Sequence, residues 1–152
     1  MSAHLGTHVD APAHVFADGV AVGDLPLAAF VGPARVVELP GRGEIGPDAL
    51  PPQSLGRRRV LFRSAGRAFL SPLAALRLAD RGAILVGTDA TSIDPDDAED
   101  LPAHRALLSR GVAVLESLEL GAVAPGDYRL VAVPLRFEDL DASPVRAILL
   151  SR

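Results

Sequence analysis

Three of the chain's four histidines and an aspartate are crowded into one eleven-residue run, His4-Leu-Gly-Thr-His8-Val-Asp10-Ala-Pro-Ala-His14, whose composition argues against a helix. Gly6 and Pro12 interrupt it, and Thr7 and Val9 are β-branched. In a helix, His4 and His8, or Asp10 and His14, would share a face at i and i+4. Read as an extended segment that turns at Pro12, the run instead puts His8 and Asp10 on one side of a strand, because side chains repeat every two residues. Gly6 lets the backbone bend so that His4 joins them. Neutral imidazole and carboxylate are the usual ligands of zinc and related divalent ions when no thiolate is available, and this chain has no cysteine. Any metal held here is held by nitrogen and oxygen.

Composition narrows the function classes. A chain of 152 residues, 49% hydrophobic and 22% charged, is expected to fold as one soluble domain over residues 1–152. Its formal net charge of -4 gives no footprint for nucleic acid, and the Arg57-Arg58-Arg59 cluster is short enough to read as the cap on a strand entry. No apolar stretch approaches the roughly 20 residues of a membrane span, and the first residues lack a signal-peptide layout, so a cytoplasmic location is expected. The absence of cysteine removes disulfides and thiol catalysis.

Short apolar runs bounded by Gly, Pro or charge predict strands at Ala34–Leu39, Val60–Arg63, Ile84–Gly87, Val112–Glu116, Leu130–Leu135 and Val145–Leu150. Ser71 as N-cap with Pro72 after it predicts a helix to about Ala79, stopping at Gly82. Pro102 opens a second helix that ends near Gly111, and a shorter helical piece follows Asp24. The Pro-rich segment from Gly41 to Leu55 reads as a surface loop. This layout yields further donors. A helix climbs about 1.5 Å per residue and a strand returns about 3.3 Å per residue, so Glu116, at the end of its strand, comes level with His104 in the first helical turn.

The His4–His14 run resembles the metal motif of the cyclase family of metal-dependent hydrolases. The segments Val86–Pro95, Leu101–Leu107, Val114–Glu116 and Asp141–Arg146 resemble successive blocks of its formamidase branch, in order. The resemblance implies an α/β fold, a three-layer β/β/α cyclase-like domain of the swivelling type. In the family a further segment bearing an aromatic residue precedes the motif; here the motif begins at His4, so the domain is expected to lack that segment. The resemblance also implies two divalent metal ions, normally zinc. His4, His8 and Asp10 would ligate one, with Asp10 reaching the second; His104 would ligate the second, and Glu116 would contact both. His14 would be the catalytic residue, a proton donor and acceptor. The implied reaction is hydrolysis of N-formyl-L-kynurenine to L-kynurenine and formate in tryptophan catabolism, with a metal-held hydroxide as nucleophile. The implied partners are a small-molecule amide substrate and further copies of the chain in a homodimer or larger homo-oligomer.

Two other readings stay open: a relative that acts on another small cyclic or linear amide, and a remnant that binds metal without a formed pocket. With aromatic residues only 4% of the chain, little is available to stack on an aryl substrate. Among weaker candidates, Asp89 reads as an acceptor for a ligand histidine or as a turn residue, and Ser92 and Asp94 read as turn or cap residues. Asp141–Pro144 reads as a turn before the last strand, and Arg63 and Arg105 as arginines that attract a carboxylate or face solvent.

Overall fold

The computed structural model describes residues 2–151. Four parallel strands form the middle of an eight-stranded mixed sheet: β2 (Val31–Glu38), β4 (Arg59–Arg63), β6 (Leu85–Thr88) and β7 (Ala113–Glu116). Beyond β2 lie two antiparallel strands, β8 (Gly126–Val131) and then β10 (Ile148–Ser151). Beyond β7 lie β1 (His8–Asp10) and then β9 (Ala142–Pro144), each antiparallel to its neighbour. A separate two-stranded sheet pairs β3 (Gly43–Ile45) with β5 (Ala68–Leu70).

The central strands are apolar on both faces because both are covered, as parallel strands require. Val60, Leu61 and Phe62 of β4 and Val114 and Leu115 of β7 have no exposed surface. One face packs under the helices α1 (Pro72–Asp80) and α2 (Pro102–Leu108), with Val60, Phe62, Val86 and Val114 beneath Ala75, Leu78 and Leu107. Side chains of opposite parity, Val9, Val36, Leu61, Leu85, Leu115 and Leu130, make a second core on the other face. The sheet curls around this second core, so helices lie over one face while sheet and turns close the other, the α/β layering that the family resemblance implies. Gly87 marks how tight the second core is: a Cβ there would sit 2.6 Å from Leu61 Cδ2 and 3.0 Å from Leu118 Cδ1.

Both helices start where expected. Ser71 Oγ accepts from Ala74 N at 3.1 Å, and Pro72 fills the first position of α1. The short helical piece near Asp24 consists of two 3-10 turns, Val22–Asp24 and Leu27–Ala29. The arginine cluster does cap a strand entry. Arg59 opens β4 and is buried, donating to the carbonyls of Ala28, Ala29 (2.8 Å), Val31 (2.8 Å) and Pro33 (3.2 Å), which bend the chain into β2. Its guanidinium lies over Gly32, whose φ of +143° and lack of a side chain leave the space it needs.

Four expectations are corrected. The strand expected at Leu130–Leu135 runs four residues earlier, at Gly126–Val131, because β8 is half exposed: Asp127 and Arg129 alternate outward, so its signal is alternation and not an apolar run. The expected run then meets Pro134, which cannot donate to a ladder. The last strand, expected at Val145–Leu150, instead starts later, at Ile148–Ser151. The turn expected at Asp141–Pro144 is in part strand β9, and the loop expected at Gly41–Leu55 contains β3. Such three-residue edge strands are too short to show a period. Among the described residues, no helix is long and apolar enough to cross a membrane.

The helix-side core depends on Phe62, which is fully buried in the middle of the sheet. Phe62→Ala is expected to lower unfolding free energy by about 3–5 kcal/mol, measured as a drop in the urea midpoint; a loss below about 1 kcal/mol would show that the site collapses and is not a packed core.

Candidate metal centre

The donor cluster sits at the carboxyl end of β7, on the helix-covered face of the sheet. The register sets it there: His8 of β1 lies directly opposite Glu116 of β7, and Asp10 lies opposite Val114, whose side chain belongs to the core under the helices. His8, Asp10 and Glu116 therefore project to the same face. α2 lies above them and brings His104 down from its first turn. All four are nearly or wholly buried, while His4, His14 and Asp141 form a half-exposed rim.

The two carboxylates each divide their oxygens between two groups of donors. Asp10 Oδ1 faces His4 Nδ1 at 3.0 Å and His8 Nε2 at 3.4 Å, while its Oδ2 faces His104 Nε2 at 3.4 Å. Glu116 Oε2 faces His8 Nε2 at 3.4 Å, while Oε1 faces His104 Nε2 at 3.1 Å and accepts from Ile93 N at 2.6 Å. Within each of the groups His4–His8–Asp10 and Asp10–His104–Glu116, donor atoms lie within 4.8 Å of one another, a span that one cation can bridge.

His8 Nε2 and Asp10 Oδ1 are two of only three buried side-chain nitrogen or oxygen atoms without a hydrogen-bond partner among the described residues. Their lone pairs converge without satisfying each other, at a cost of about 1–3 kcal/mol for each unsatisfied group. A shared divalent cation removes that cost, and an all nitrogen-and-oxygen donor set suits zinc and its neighbours. The residues present thus fit a metal.

Oxygen acceptors fix the far side of the buried rings. His8 Nδ1 donates to Gly6 O at 2.8 Å, and His104 Nδ1 donates to Asp94 Oδ2 at 2.7 Å, so each ring turns Nε2 to the centre. Asp94 also accepts from Ala103 N (2.7 Å) and His104 N (2.9 Å), which caps α2 from outside, since Leu101 at the N-cap has no side-chain oxygen and sits at φ +46°. His14 stands in a 3-10 turn, Pro12–His14, pressed by Gly19, where a Cβ would lie 2.3 Å from Pro12 C. Its Nδ1 donates to Asp141 Oδ2 at 2.9 Å, and its ring centre lies 4.5 Å from that of His4 and 5.4 Å from that of His104.

All six residues singled out in the sequence, His4, His8, Asp10, His14, His104 and Glu116, are brought together. The weaker candidates are sorted differently. Asp89 is not the acceptor for a ligand histidine: its carboxylate accepts from Ser64, Ala65 and Gly66 and shapes the loop after β4. The aspartate that accepts from a histidine of the buried cluster is Asp94, from His104 Nδ1. Asp141 joins the rim and is not merely a turn residue. Arg63 pairs with Glu38 at 3.0 Å, and Arg105 lies over the Phe16 ring at 5.5 Å and donates to Asp100 O, so both guanidiniums are engaged away from the donor atoms. Nothing in sequence spacing distinguishes Asp94 or Asp141 from the other loop aspartates.

The cluster carries strong charge coupling. Burial alone would lower the pKa of His104, but the carboxylates of Asp10, Asp94 and Glu116 outweigh it and push it up to about 11. Hydrogen bonding to Asp10 leads the causes that raise His4 to about 9. For Asp10, Asp94, Glu116 and Asp141 burial favours the neutral form, yet the surrounding histidines win and hold each below the usual carboxylate range.

The Cyclase family model matches residues 1–95. The chain is 46% identical over 165 residues to the kynurenine formamidase of Paracidovorax citrulli, covering 98% of this chain and 76% of that one. It is 45% identical over 166 residues to the kynurenine formamidase of Salinibacter ruber, with the same coverage. A solved structure described as a potential metal-dependent hydrolase with cyclase activity superposes with a TM-score of 0.89 at 34% identity, over 98% of this chain and 79% of that one.

The raised histidines bind protons more tightly folded than unfolded. Their stabilisation is complete below their ordinary pKa of 6.5 and is lost as pH rises through about 9 for His4 and about 11 for His104. In protein stripped of divalent ions, the urea midpoint is expected to fall steadily from pH 6.5 to about 9, and either His4→Gln or His104→Gln is expected to reduce that slope. A midpoint constant across this range in the parent chain would contradict the charge coupling.

Proposed function

Because the chain belongs to the cyclase family of metal-dependent hydrolases, we propose that it hydrolyses N-formyl-L-kynurenine to L-kynurenine and formate, a step of tryptophan catabolism. The observation that carries this reading is the division of each carboxylate of Asp10 and Glu116 between two donor groups, the arrangement a pair of cations needs. His4, His8 and Asp10 would hold one ion and Asp10, His104 and Glu116 the other, with Glu116 also beside His8, and zinc would fit the donors. When bound, such ions lower the pKa of water toward neutrality and polarise an amide carbonyl.

The chain's own residues supply the proton transfers. With Nδ1–H given to Asp141, the neutral His14 ring keeps Nε2 bare. That nitrogen takes a proton from the attacking water and returns it to the leaving nitrogen as the C–N bond breaks, so that a neutral aryl amine and formic acid depart, the acid giving its remaining proton to solvent to become formate. The buried floor of Asp10, His104 and Glu116 stays fixed during the reaction, while the half-exposed rim of His4 and His14 meets the substrate. The reading carries with it a small-molecule amide as partner, an assembly of two or more copies and a cytoplasmic location.

Purified protein is expected to carry two divalent ions per chain by elemental analysis and to release formate from N-formylkynurenine, with activity lost on chelation and restored by zinc. Asp10→Ala is expected to lose the most metal. His14→Ala is expected to keep its metal and lose roughly 10²- to 10⁴-fold in kcat. Metal below one ion per chain under replete conditions would reject the two-ion assignment; loss of metal from His14→Ala in step with activity would make His14 a ligand; and metal-replete protein inert to every formanilide would reject the reaction.

A further inference from the structure

We propose that Asp141 is a positioning residue that holds the proton-transferring His14 and the metal-binding His4 with one carboxylate oxygen. Its Oδ2 lies 2.9 Å from His14 Nδ1 and 3.1 Å from His4 Nε2. An ionised carboxylate only accepts, so each ring must turn an N–H toward it. That choice fixes the tautomer of His14, which is left with a bare Nε2, and it would fix that of His4 once a cation replaced the proton that Nδ1 shares with Asp10 Oδ1 at 3.0 Å. Among the described residues, Asp141 is the only hydrogen-bond partner of the His14 ring. No other described residue selects its tautomer.

The carboxylate is well placed to hold still. The Asp141 carbonyl accepts from Ala11 N at 2.9 Å, and the Leu140 carbonyl accepts from Val22 N at 2.9 Å. The next three residues form β9, which pairs with the strand carrying His8 and Asp10. Asp141 is thus fastened by its backbone to the strand whose ligands it serves, although its side chain is partly open to water. The rim then matches the floor of the site, where Gly6 O and Asp94 hold one nitrogen each of His8 and His104. Each of the four histidines has one ring nitrogen directed to an oxygen of Gly6, Asp94 or Asp141, while the other nitrogens of His4, His8 and His104 face the carboxylates of Asp10 and Glu116. Because the Asp141 contact uses Nδ1–H, it persists in both the neutral and the protonated ring, and only Nε2 of His14 changes state in a turnover.

This proposal rests on the reading of His14 as the proton-transfer group and His4 as a ligand, but its test has parts that need no turnover. In zinc-loaded, 15N-labelled protein, long-range 1H–15N correlation is expected to show His14 as the Nδ1–H tautomer, and Asp141→Ala is expected to shift it toward Nε2–H. Competition with a chromophoric chelator is expected to show one of the two zinc ions bound roughly 10- to 100-fold more weakly in Asp141→Ala. At saturating zinc, kcat is expected to remain depressed roughly 10²-fold or more with KM little changed. Asp141→Asn, which keeps shape and an acceptor oxygen, is expected to retain the fold and recover part of each property. The proposal is overturned if His14 is Nε2–H in the parent protein, or if Asp141→Ala leaves both tautomer and zinc affinity unchanged. It is also overturned if the parent binds three zinc ions and Asp141→Ala binds two, which would make His4, His14 and Asp141 a cation site of their own. A parent chain inert to N-formylkynurenine would reject the assigned reaction, while the tautomer and affinity measurements would still decide the role of Asp141.

Discussion

Two carboxylates, Asp10 and Glu116, are buried side by side on adjoining strands, and such a pair is tolerable only with positive charge between or around it. Much of the molecule answers that requirement. The central sheet sets both side chains on one face, α2 lowers His104 onto them, and the bend at Gly6 returns His4 to their open side. Protonated histidines and bound cations are alternative answers to the same electrostatic problem. A cation taken up here would replace those protons, which would link metal uptake to proton release.

Asp94 joins folding to this chemistry. Its two oxygens take the first free amides of α2 and the outer nitrogen of His104, so the residue that starts the helix also aims its ligand. The strained left-handed Leu101 is the local cost of letting a distant aspartate act as cap. A second left-handed residue, Ser117, directly follows Glu116, where the chain must leave the sheet while its carboxylate stays at the centre. Departures from regular backbone thus flank two of the metal-facing side chains.

The convergence of the candidate donors was legible because their chemistry is dense and local. Three histidines and an aspartate within one extended segment leave few arrangements, and the two-residue period places His8 and Asp10 together before any tertiary contact is known. His104 and Glu116 were legible from the opposed rise of a helix and the strand that follows it. Asp94 and Asp141 were not, because each acts across a loop whose path depends on the finished fold, and a carboxylate in a Pro-rich loop reads as a turn in either case. The same limit hid β9 and β3, whose pairing is set by neighbours far along the chain. β8 was displaced for a different reason: its outward-facing Asp127 and Arg129 disguise a strand that the apolar count places later.

The strand order has a bearing on how the protein is made. β1 leaves the ribosome before the other described strands, yet its two neighbours, β7 and β9, come late in the chain. The parallel centre β2–β4–β6 can pair as it emerges, strand beside successive strand, but β1 must wait for Glu116 and then for Pro144 before either of its edges is filled. Closing so large a loop is slow compared with pairing between near neighbours. The histidine-rich segment therefore stays unpaired until late in translation, and the donor cluster closes well after the parallel centre, when the strand that follows Asp141 pairs with β1.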